Sequence, residues 1–186
     1  MPDDSGLSLP LVTERLRLRA HTPGDAAWLH RVYAQPDVAR YLLDDPWDAA
    51  RAAREAVARE PKSDLDGRTH TLALVIERER IPIGGVLLWR TDTHPPIAEV
   101  GWVLDPAHAG RGFAGETVAE VLRVAFEHYG LHRVVAQMDA RNTASARLAT
   151  AVGMRREAHL RQDWWNKGEW TDTLVFGMLA EDRDAP

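Results

Sequence analysis

A glycine-rich loop that runs directly into an amphipathic helix is the feature that most restricts the fold of this chain. The stretch from Asp105 to Leu122 reads DPAHAGRGFAGETVAEVL. Its apolar periodicity predicts a helix from about Gly112 to Tyr129, ended by Gly130. The first four N–H groups of a helix lack internal partners, and the helix dipole adds partial positive charge there. Because glycine lets a ligand approach the backbone, GRGFAG predicts a phosphate-binding loop, with Arg111 adding charge at its rim.

The patterns on both sides of this helix predict a single mixed α/β domain over residues 1–186, with frayed ends at 1–9 and 180–186. The order of elements is β-αα-β-β-β-α-β-α-β-β, with no internal repeat or linker. Gly84 and Gly85 inside a strand predict a bulge or a close backbone approach. Besides the helix above, the predicted elements are strand Arg15–Ala20, a helix that Pro36 ends, helix Asp45–Glu60, strand Thr69–Ile76, strands in IPIGGVLLW, PPIAEVGWVLDP and HRVVAQMDA, a helix in NTASARLATAV capped by Asn142, and a final hairpin around NKG.

Composition excludes several kinds of site and partner. The chain has no cysteine, so a disulfide framework, a zinc-thiolate site and a cysteine nucleophile are excluded. The net charge is −5 and no block of Lys or Arg occurs, which argues against nucleic-acid binding. The eight histidines show no metal-binding pattern, so we expect no metal. The acidic start MPDDSGLSLP is unlike a secretory signal and no apolar run approaches ~20 residues, so we expect a cytoplasmic protein without a membrane partner.

The loop also matches the dinucleotide fingerprint G-x-G-x-x-G, which makes a nicotinamide-dependent oxidoreductase an alternative. In that pattern the first glycine follows the strand directly, whereas residues 105–109 intervene here. The final hairpin also leaves no second βαβαβ half. The nucleotide P-loop motif G-x-x-x-x-G-K-[ST] is absent, so that kind of site is excluded.

Several motifs together resemble the GNAT acetyltransferase superfamily, nearest to its ribosomal-protein N-terminal acetyltransferases. They are AEVGWVLDP, AGRGFAGE, a strand ending in MDARN, and NTASARLATAVGM, within a resemblance that runs from TERLRLR to GEWTDTLVFGML. It implies a mostly antiparallel seven-stranded sheet with two splayed parallel central strands, flanked by about four helices. It also implies transfer of an acetyl group from acetyl-CoA to a primary amine, and a chain that can form a homodimer.

The resemblance assigns the contacts with coenzyme A residue by residue. Main-chain amides of the loop would bind the pyrophosphate, and these belong to Gly110, Arg111, Gly112, Phe113 and Ala114. The strand before the loop would pair its main chain with the pantetheine arm through Trp102, Val103 and Leu104. Asn142 matches a pantetheine-contacting asparagine of the family, and it can hold that role while also capping a helix. Ala109 departs from the family, which often has Gln or Arg there.

The chemistry requires a base, because an amine attacks a thioester only when it is neutral. Glu99, on the strand before the loop, matches a common family acid, and Asp163 on the hairpin is the alternative. Many relatives protonate the leaving thiolate with a tyrosine that this chain lacks. Ser145 matches the serine of the N-terminal acetyltransferases and is the candidate for that step, although a helix-surface serine is an equal interpretation.

The sequence leaves the acceptor open. Tyr41 and the segment LLDDPW that follows it lie where the family's first two helices meet acceptors. Either Trp164 or Trp165 can line the pocket, since neighbouring strand residues face opposite sides. A protein N-terminal α-amine and a small-molecule amine remain alternatives, and the absence of cysteine favours direct attack in a ternary complex. Ala109 and the missing tyrosine leave a non-catalytic acyl-CoA-binding module as a further alternative.

Overall fold

One mixed sheet forms the centre of the computed structural model, which describes residues 6–92 and 96–184. Its strands are β1 (Leu11–Val12), β2 (Arg17–Ala20), β3 (Ser63–Asp64), β4 (Thr71–Arg78), β5 (Ile81–Asp92), β6 (Ile97–Leu104), β7 (Arg133–Asp139), β8 (Arg155–Asn166) and β9 (Glu169–Leu179). Their order is β1-β2-β4-β5-β6-β7-β9-β8, with β3 beside β4. Only β6 and β7 are parallel among the pairs described. The two strands of two residues, β1 and β3, are additions to the predicted seven, so the predicted fold is confirmed.

Five α-helices flank the sheet in the described part of the chain, one more than predicted. They are α1 (Ala26–Tyr33), α2 (Pro36–Ala39), α3 (Ala49–Arg59), α4 (Phe113–Glu127) and α5 (Thr143–Ala151). The extra helix arises at Pro36, which the sequence predicts as the end of the first helix. Instead α1 ends three residues earlier, and Pro36 begins the short helix α2. Proline suits that position because the first residue of a helix needs no N–H partner and the fixed φ of the ring is helical.

Side-chain caps set where two of the helices begin. The Asp48 carboxylate accepts the N–H of Arg51 at 2.7 Å, so α3 begins at Ala49 and not at Asp45 as predicted. The side-chain oxygen of Asn142 accepts the N–H of Ser145 at 3.1 Å and starts α5, which confirms the predicted cap. This cap places both of those residues at one end of the opening described below.

The helices cover both faces of the sheet and divide the core in two. Helices α4 and α5 pack on one face, and α1 and α3 pack on the other. Strand side chains alternate between faces. Along β6, Ala98 and Val100 therefore join the α4 face, whereas Val103 packs on the α1–α3 face. The same alternation directs Glu99 and Gly101 to the α1–α3 face.

The glycine pair in β5 lets that strand lie close against β6. The register with β4 shifts after the Ile76–Gly84 pair, which is the predicted bulge. A Cβ on Gly84 would lie 2.4 Å from the carbonyl oxygen of Val103, so no larger residue fits. The close backbone approach predicted from the sequence is also confirmed, and it positions β6 as one wall of the site.

The terminal segments are ordered in part, although the sequence predicts fraying at 1–9 and 180–186. Leu7 and Leu9 pack against the core. Residues 180–184 form a 3₁₀ turn, in which the Asp182 carboxylate accepts the N–H of Leu179 at 2.9 Å and pairs with Arg155 at 2.7 Å. The remainder of both predicted ends, residues 1–5 and 185–186, lies outside the described residues.

Candidate active site

The parallel strands β6 and β7 part from each other halfway along their length. They pair only from Ile97 to Glu99 on β6 and from Arg133 to Val135 on β7. Beyond these pairs, no strand of the described residues pairs with the edge of β6 that faces β7, while its other edge stays paired with β5 up to Leu104. Free main-chain groups along such an edge can pair with an extended ligand as if it were an added strand. The predicted splayed pair is therefore present, and it opens toward the glycine loop.

The glycine loop sits at the wide end of this opening, and its N–H groups are free. Gly110 and Gly112 have φ angles of +73° and +79°, which glycine adopts without strain, and α4 begins at the next residue. Among the described residues, nothing accepts a hydrogen bond from the N–H groups of 110–114. A Cβ on Gly110 would meet no atom within 4 Å, so the space in front of the loop is open. Free amides, an open approach and a helix N-terminus fit a pyrophosphate.

A salt bridge from the turn before β2 holds this loop in place. Arg15 pairs with Glu116 in the first turn of α4 at 2.7 Å, and its Nη1 donates to the carbonyl oxygen of Arg111 at 3.0 Å. The Thr13 hydroxyl donates to the same Glu116 carboxylate at 2.6 Å. Burial alone would raise the pKa of Glu116, but these hydrogen bonds and the charge of Arg15 hold its pKa below the usual value. The loop is thus fixed by a charged contact before any ligand binds.

A cavity of about 290 Å³ passes through the gap between the parted strands, and we call it the donor passage. At one end it is lined by Asn142 and Ser145 of α5, and along its length by residues 100–103 of β6. At the other end it reaches Tyr33 and Arg59, under the helices of the opposite face. The donor passage therefore joins the α5 side of the sheet to the face that α1 and α3 cover.

A second cavity of about 370 Å³ adjoins the donor passage and contains Glu99, so we call it the Glu99 chamber. The two cavities share lining residues on β7 and on the segment after α2, namely Tyr41, Leu42, Leu43, Gln137 and Met138. Burial raises the pKa of Glu99 above its usual value, and a hydrogen bond from Gln137 Nε2 at 3.2 Å partly offsets this. A half-buried carboxylate with a raised pKa is a suitable proton acceptor for an amine.

The structure separates the other predicted candidates. Tyr41 lines both cavities, and Trp164 lines the Glu99 chamber with its side chain 49% exposed. Trp165 instead packs edge-to-face on Trp170, with ring centroids 5.3 Å apart. Asp163 is exposed and lines neither cavity, so it lies away from the position that a base would need.

Sequence reasoning missed two groups that line the site. Gln137 was not singled out, although strand alternation in β7 was enough to place it on the Glu99 face. Arg59 was also missed, and it is buried in the wall of the donor passage together with Trp47, which ends the segment LLDDPW that the resemblance places near the acceptor. No short motif marks Arg59, which is the last residue of α3.

The acetyltransferase (GNAT) domain model matches residues 15–155 of this chain. The chain belongs to the GNAT acetyltransferase family. The family predicted from the sequence is confirmed, and the loop, the parted strands and the donor passage fit acetyl-CoA as the co-substrate. GNAT enzymes transfer an acetyl group from acetyl-CoA to an amine, so this GNAT protein is an acetyl-CoA-dependent N-acetyltransferase.

Relatives and solved structures agree with this assignment. The chain is 28% identical over 172 residues to an uncharacterised N-acetyltransferase, p20, of Bacillus licheniformis, covering 92% of this chain and 97% of that protein. It is 22% identical over 168 residues to a spermidine N(1)-acetyltransferase of Vibrio cholerae, covering 90% and 95%. It shares its fold with the ribosomal L7/L12 α-N-protein acetyltransferase RimL in complex with coenzyme A, at a TM-score of 0.80 and 17% identity over 92% and 98% of the chains.

The alternatives raised by the sequence lack support. A dinucleotide-binding fold needs a second βαβαβ half, but β7 of this GNAT domain is followed by α5 and an antiparallel hairpin. Residues 6–92 and 96–184 contain no group of three or more acidic or histidine side chains that could hold a metal ion. No helix in the same ranges is long and apolar enough to cross a membrane.

Proposed function

We propose that this enzyme transfers acetyl to a primary amine by direct attack in a ternary complex at the junction of the donor passage and the Glu99 chamber. One observation carries the proposal. The gap between β6 and β7 opens on the side where β6 leads into the glycine loop, and the cavity that passes through it adjoins a chamber with a carboxylate of raised pKa. The donor and the acceptor can therefore approach the same point from opposite faces.

The donor site in this proposal uses mostly main chain. The amides of residues 110–114 bind the pyrophosphate, and the free edge of β6 pairs with the pantetheine arm through Trp102, Val103 and Leu104. Asn142 uses its side-chain oxygen for the α5 cap, which leaves its NH₂ group to donate to the same arm. Because these groups are backbone or amide, the alanine at position 109 removes a side-chain contact without removing the site.

The acceptor chemistry is assigned to two side chains. Glu99 accepts the proton of the attacking amine, and Ser145, which lines the donor passage, donates a proton to the leaving thiolate. No cysteine is present, so an acyl-cysteine intermediate is excluded, and we propose direct transfer with both substrates bound together. Initial-rate lines in a double-reciprocal plot should intersect, and parallel lines would contradict the ternary complex.

Exchange of Glu99 for glutamine tests the assignment of the base. Thiol release from acetyl-CoA, measured with an amine that the wild-type enzyme accepts, should fall by about 10²–10⁴-fold in Glu99→Gln. Asp163→Asn is the matched control, because this exposed carboxylate on the hairpin lines neither cavity, and its rate should stay within about twofold of wild type. If Asp163→Asn loses the activity and Glu99→Gln keeps it, the base is assigned wrongly.

The acceptor is proposed to be either a protein N-terminal α-amine or a small-molecule amine. Support for the first comes from the fold shared with RimL, and for the second from the similarity to a spermidine acetyltransferase. A screen of peptides, polyamines, aminoglycosides and amino acids, read by mass spectrometry of the acetylated product, separates the two.

We also infer a single acetyltransferase domain in the cytoplasm, because one sheet connects all described elements and the sequence has no cysteine. A homodimer is proposed on the basis of β8, an edge strand of 12 residues whose aromatic neighbours Trp165 and Trp170 are more than half exposed. Analytical ultracentrifugation of wild type and of a Trp165→Ser, Trp170→Ser double variant tests it. A monomeric wild type would contradict the dimer.

A further inference from the structure

One wall of the donor passage contains a buried arginine that acetyl transfer itself does not use. Arg59, the last residue of α3, is 7% exposed. Its guanidinium carbon lies 5.3 Å from the ring centres of both Tyr33 and Trp47, and those two rings stack at 4.1 Å. Burial of a guanidinium costs free energy unless its N–H groups find partners. The protein contacts of this side chain therefore decide whether it serves only the fold.

Those contacts satisfy Arg59 only in part. Its Nη1 donates to the Tyr33 hydroxyl at a long 3.4 Å, and its Nε lies 3.5 Å from the Glu55 carboxylate. Across the described residues, Nη2 of Arg59 has no hydrogen-bond partner, and neither has the indole N–H of Trp47, a side chain that is 5% exposed. Two donors without partners thus line one cavity, and the hydroxyl proton of Tyr33 adds a third.

The ligand chemistry that fits three donor-bearing residues in one cavity wall is an anion with several acceptor atoms. A carboxylate accepts through two oxygens and binds a guanidinium with charge-assisted hydrogen bonds. Asp44 is the one carboxylate that lines the donor passage among the described residues, and it is already paired with Arg51 at 2.7 Å. Apart from Glu55, which lies 3.5 Å from Nε of Arg59 and does not line the passage, no carboxylate of the described residues is placed to pair with Arg59 there.

The adjoining cavity indicates which chemical group the other end of such a ligand carries. The Glu99 chamber offers a proton acceptor and shares Tyr41, Gln137 and Met138 with the donor passage. A molecule across the two cavities meets a carboxylate at one end and a buried cation at the other. This arrangement of charges fits a molecule that carries both an amine and a carboxylate. It disfavours a polyamine, because a polyamine would place a cation against Arg59.

We propose that the acceptor of this enzyme is an amine that also carries a carboxylate, and that Arg59, Trp47 and Tyr33 bind that carboxylate. This inference rests on the proposed acetyl transfer at Glu99 and adds the chemical class of the acceptor. An amino acid is the simplest such molecule, and a peptide with an acidic side chain near its N-terminus is a larger one.

Matched acceptor pairs test the class with the wild-type enzyme. Each pair is an L-amino acid and its decarboxylated amine: lysine and cadaverine, ornithine and putrescine, phenylalanine and 2-phenylethylamine. Peptides with an N-terminal Asp or Glu, compared with their Asn or Gln counterparts, form the larger set. Thiol release from acetyl-CoA should show a KM at least about tenfold lower for the carboxylate member of a pair. Equal or better use of the decarboxylated amines and neutral peptides would overturn the proposal.

Variants then locate the carboxylate. Arg59→Met keeps the length of the side chain and removes its charge, and Arg54→Met on the exposed face of the same helix is the matched control. Arg59→Met should raise the KM for carboxylate acceptors by roughly 10–100-fold with little change in kcat, whereas Arg54→Met should leave the KM unchanged. Trp47→Phe keeps an aromatic ring at this position and removes the indole N–H, so it should raise the KM by a few fold. The Trp47→Phe variant tests the carboxylate site if Arg59→Met does not fold.

Calorimetry separates this proposal from the proposed function. The amino acids are titrated into protein saturated with coenzyme A, so no transfer can occur. Binding that is lost in Arg59→Met supports the carboxylate site even if no amine is acetylated. Binding that is equal in wild type and Arg59→Met overturns the site, and it does so even if acetyl transfer is confirmed.

Discussion

The glycine loop and the Glu99 chamber lie at two ends of one opening, and they are built in different ways. The loop consists of consecutive residues, 109–114, and its long-range contacts include those from Arg15 and Arg78. The chamber takes its walls from β6, β7, the final hairpin and the segment after α2. The loop is therefore determined largely by local backbone preferences, and the chamber by how distant elements pack. The donor end of the site is fixed by a few residues, whereas the acceptor end depends on the whole fold.

Of the changes considered, replacement of Gly112 in the glycine loop is expected to have the largest effect. A valine at φ +79° is strained by about 1–2 kcal/mol, and its Cβ would lie 3.3 Å from Arg15 Nη2. Gly112→Val should weaken acetyl-CoA binding by roughly 10–100-fold, as measured by calorimetry. Gly115→Ala is the control, since a Cβ there meets no atom within 4 Å and the residue lies inside α4. Its binding should be unchanged, and equal losses in both variants would show that the loop conformation does not matter.

Removal of the loop's salt bridge is expected to have the next largest effect. Glu116→Gln keeps the shape of the side chain but weakens the contacts with Thr13 and Arg15, so we expect about 1.5–3 kcal/mol less stability and about tenfold weaker acetyl-CoA binding. Denaturant unfolding and calorimetry measure the two. Glu120→Gln, one turn later, removes only a surface pair with Arg123 and should cost under about 1 kcal/mol. Normal coenzyme binding in Glu116→Gln would mean that the loop needs no brace.

The sequence predicts these two ends of the site unequally, for physical reasons. Three glycines before a periodic helix are enough to predict the loop and its ligand, because the first amides of a helix are always unpaired. The face of Glu99 follows from strand alternation in the same way. Nothing local predicts that Arg59 and Trp47 meet in the passage, since a helix end and a loop are brought together only by packing on the sheet. Pro36 shows the same limit, because the sequence marks a break there but not the short helix that follows it.

The pH dependence of catalysis tests the role of Glu99, and the expected effect is smaller than those of the two loop variants. Burial raises the pKa of Glu99, and the Gln137 hydrogen bond partly lowers it. As a base Glu99 acts when ionised, so kcat should fall as the pH falls through this raised pKa. Gln137→Met removes a hydrogen bond to the ionised form, so the acid limb of the kcat profile should move to higher pH by about half a unit to one unit. A limb that stays in place or moves to lower pH would exclude Glu99 as the titrating base.

The stability contributed by Glu99 should change with pH in the opposite direction from its activity. A folded-state pKa above the unfolded value means that the folded protein binds this proton more tightly. The contribution is therefore complete below the unfolded pKa and is lost as the pH rises through the folded pKa. Glu99→Gln should remove this part of the pH dependence of unfolding, and an unaltered dependence in that variant would contradict the raised pKa.

The two neighbouring tryptophans of the hairpin give the smallest and most selective test. Trp164 lines the Glu99 chamber but is half exposed, so Trp164→Ala should raise the acceptor KM by only about threefold, with acetyl-CoA binding unchanged. Trp165 packs on Trp170 outside the chamber, so Trp165→Ala should leave the KM unchanged and lower stability by about 0.5–1.5 kcal/mol. Steady-state kinetics should therefore detect the effect of Trp164→Ala on the acceptor KM, and thermal unfolding should detect the effect of Trp165→Ala on stability. If Trp165→Ala raises the acceptor KM as much as Trp164→Ala does, the acceptor contacts the other face of the hairpin, and the wall of the chamber is wrongly assigned.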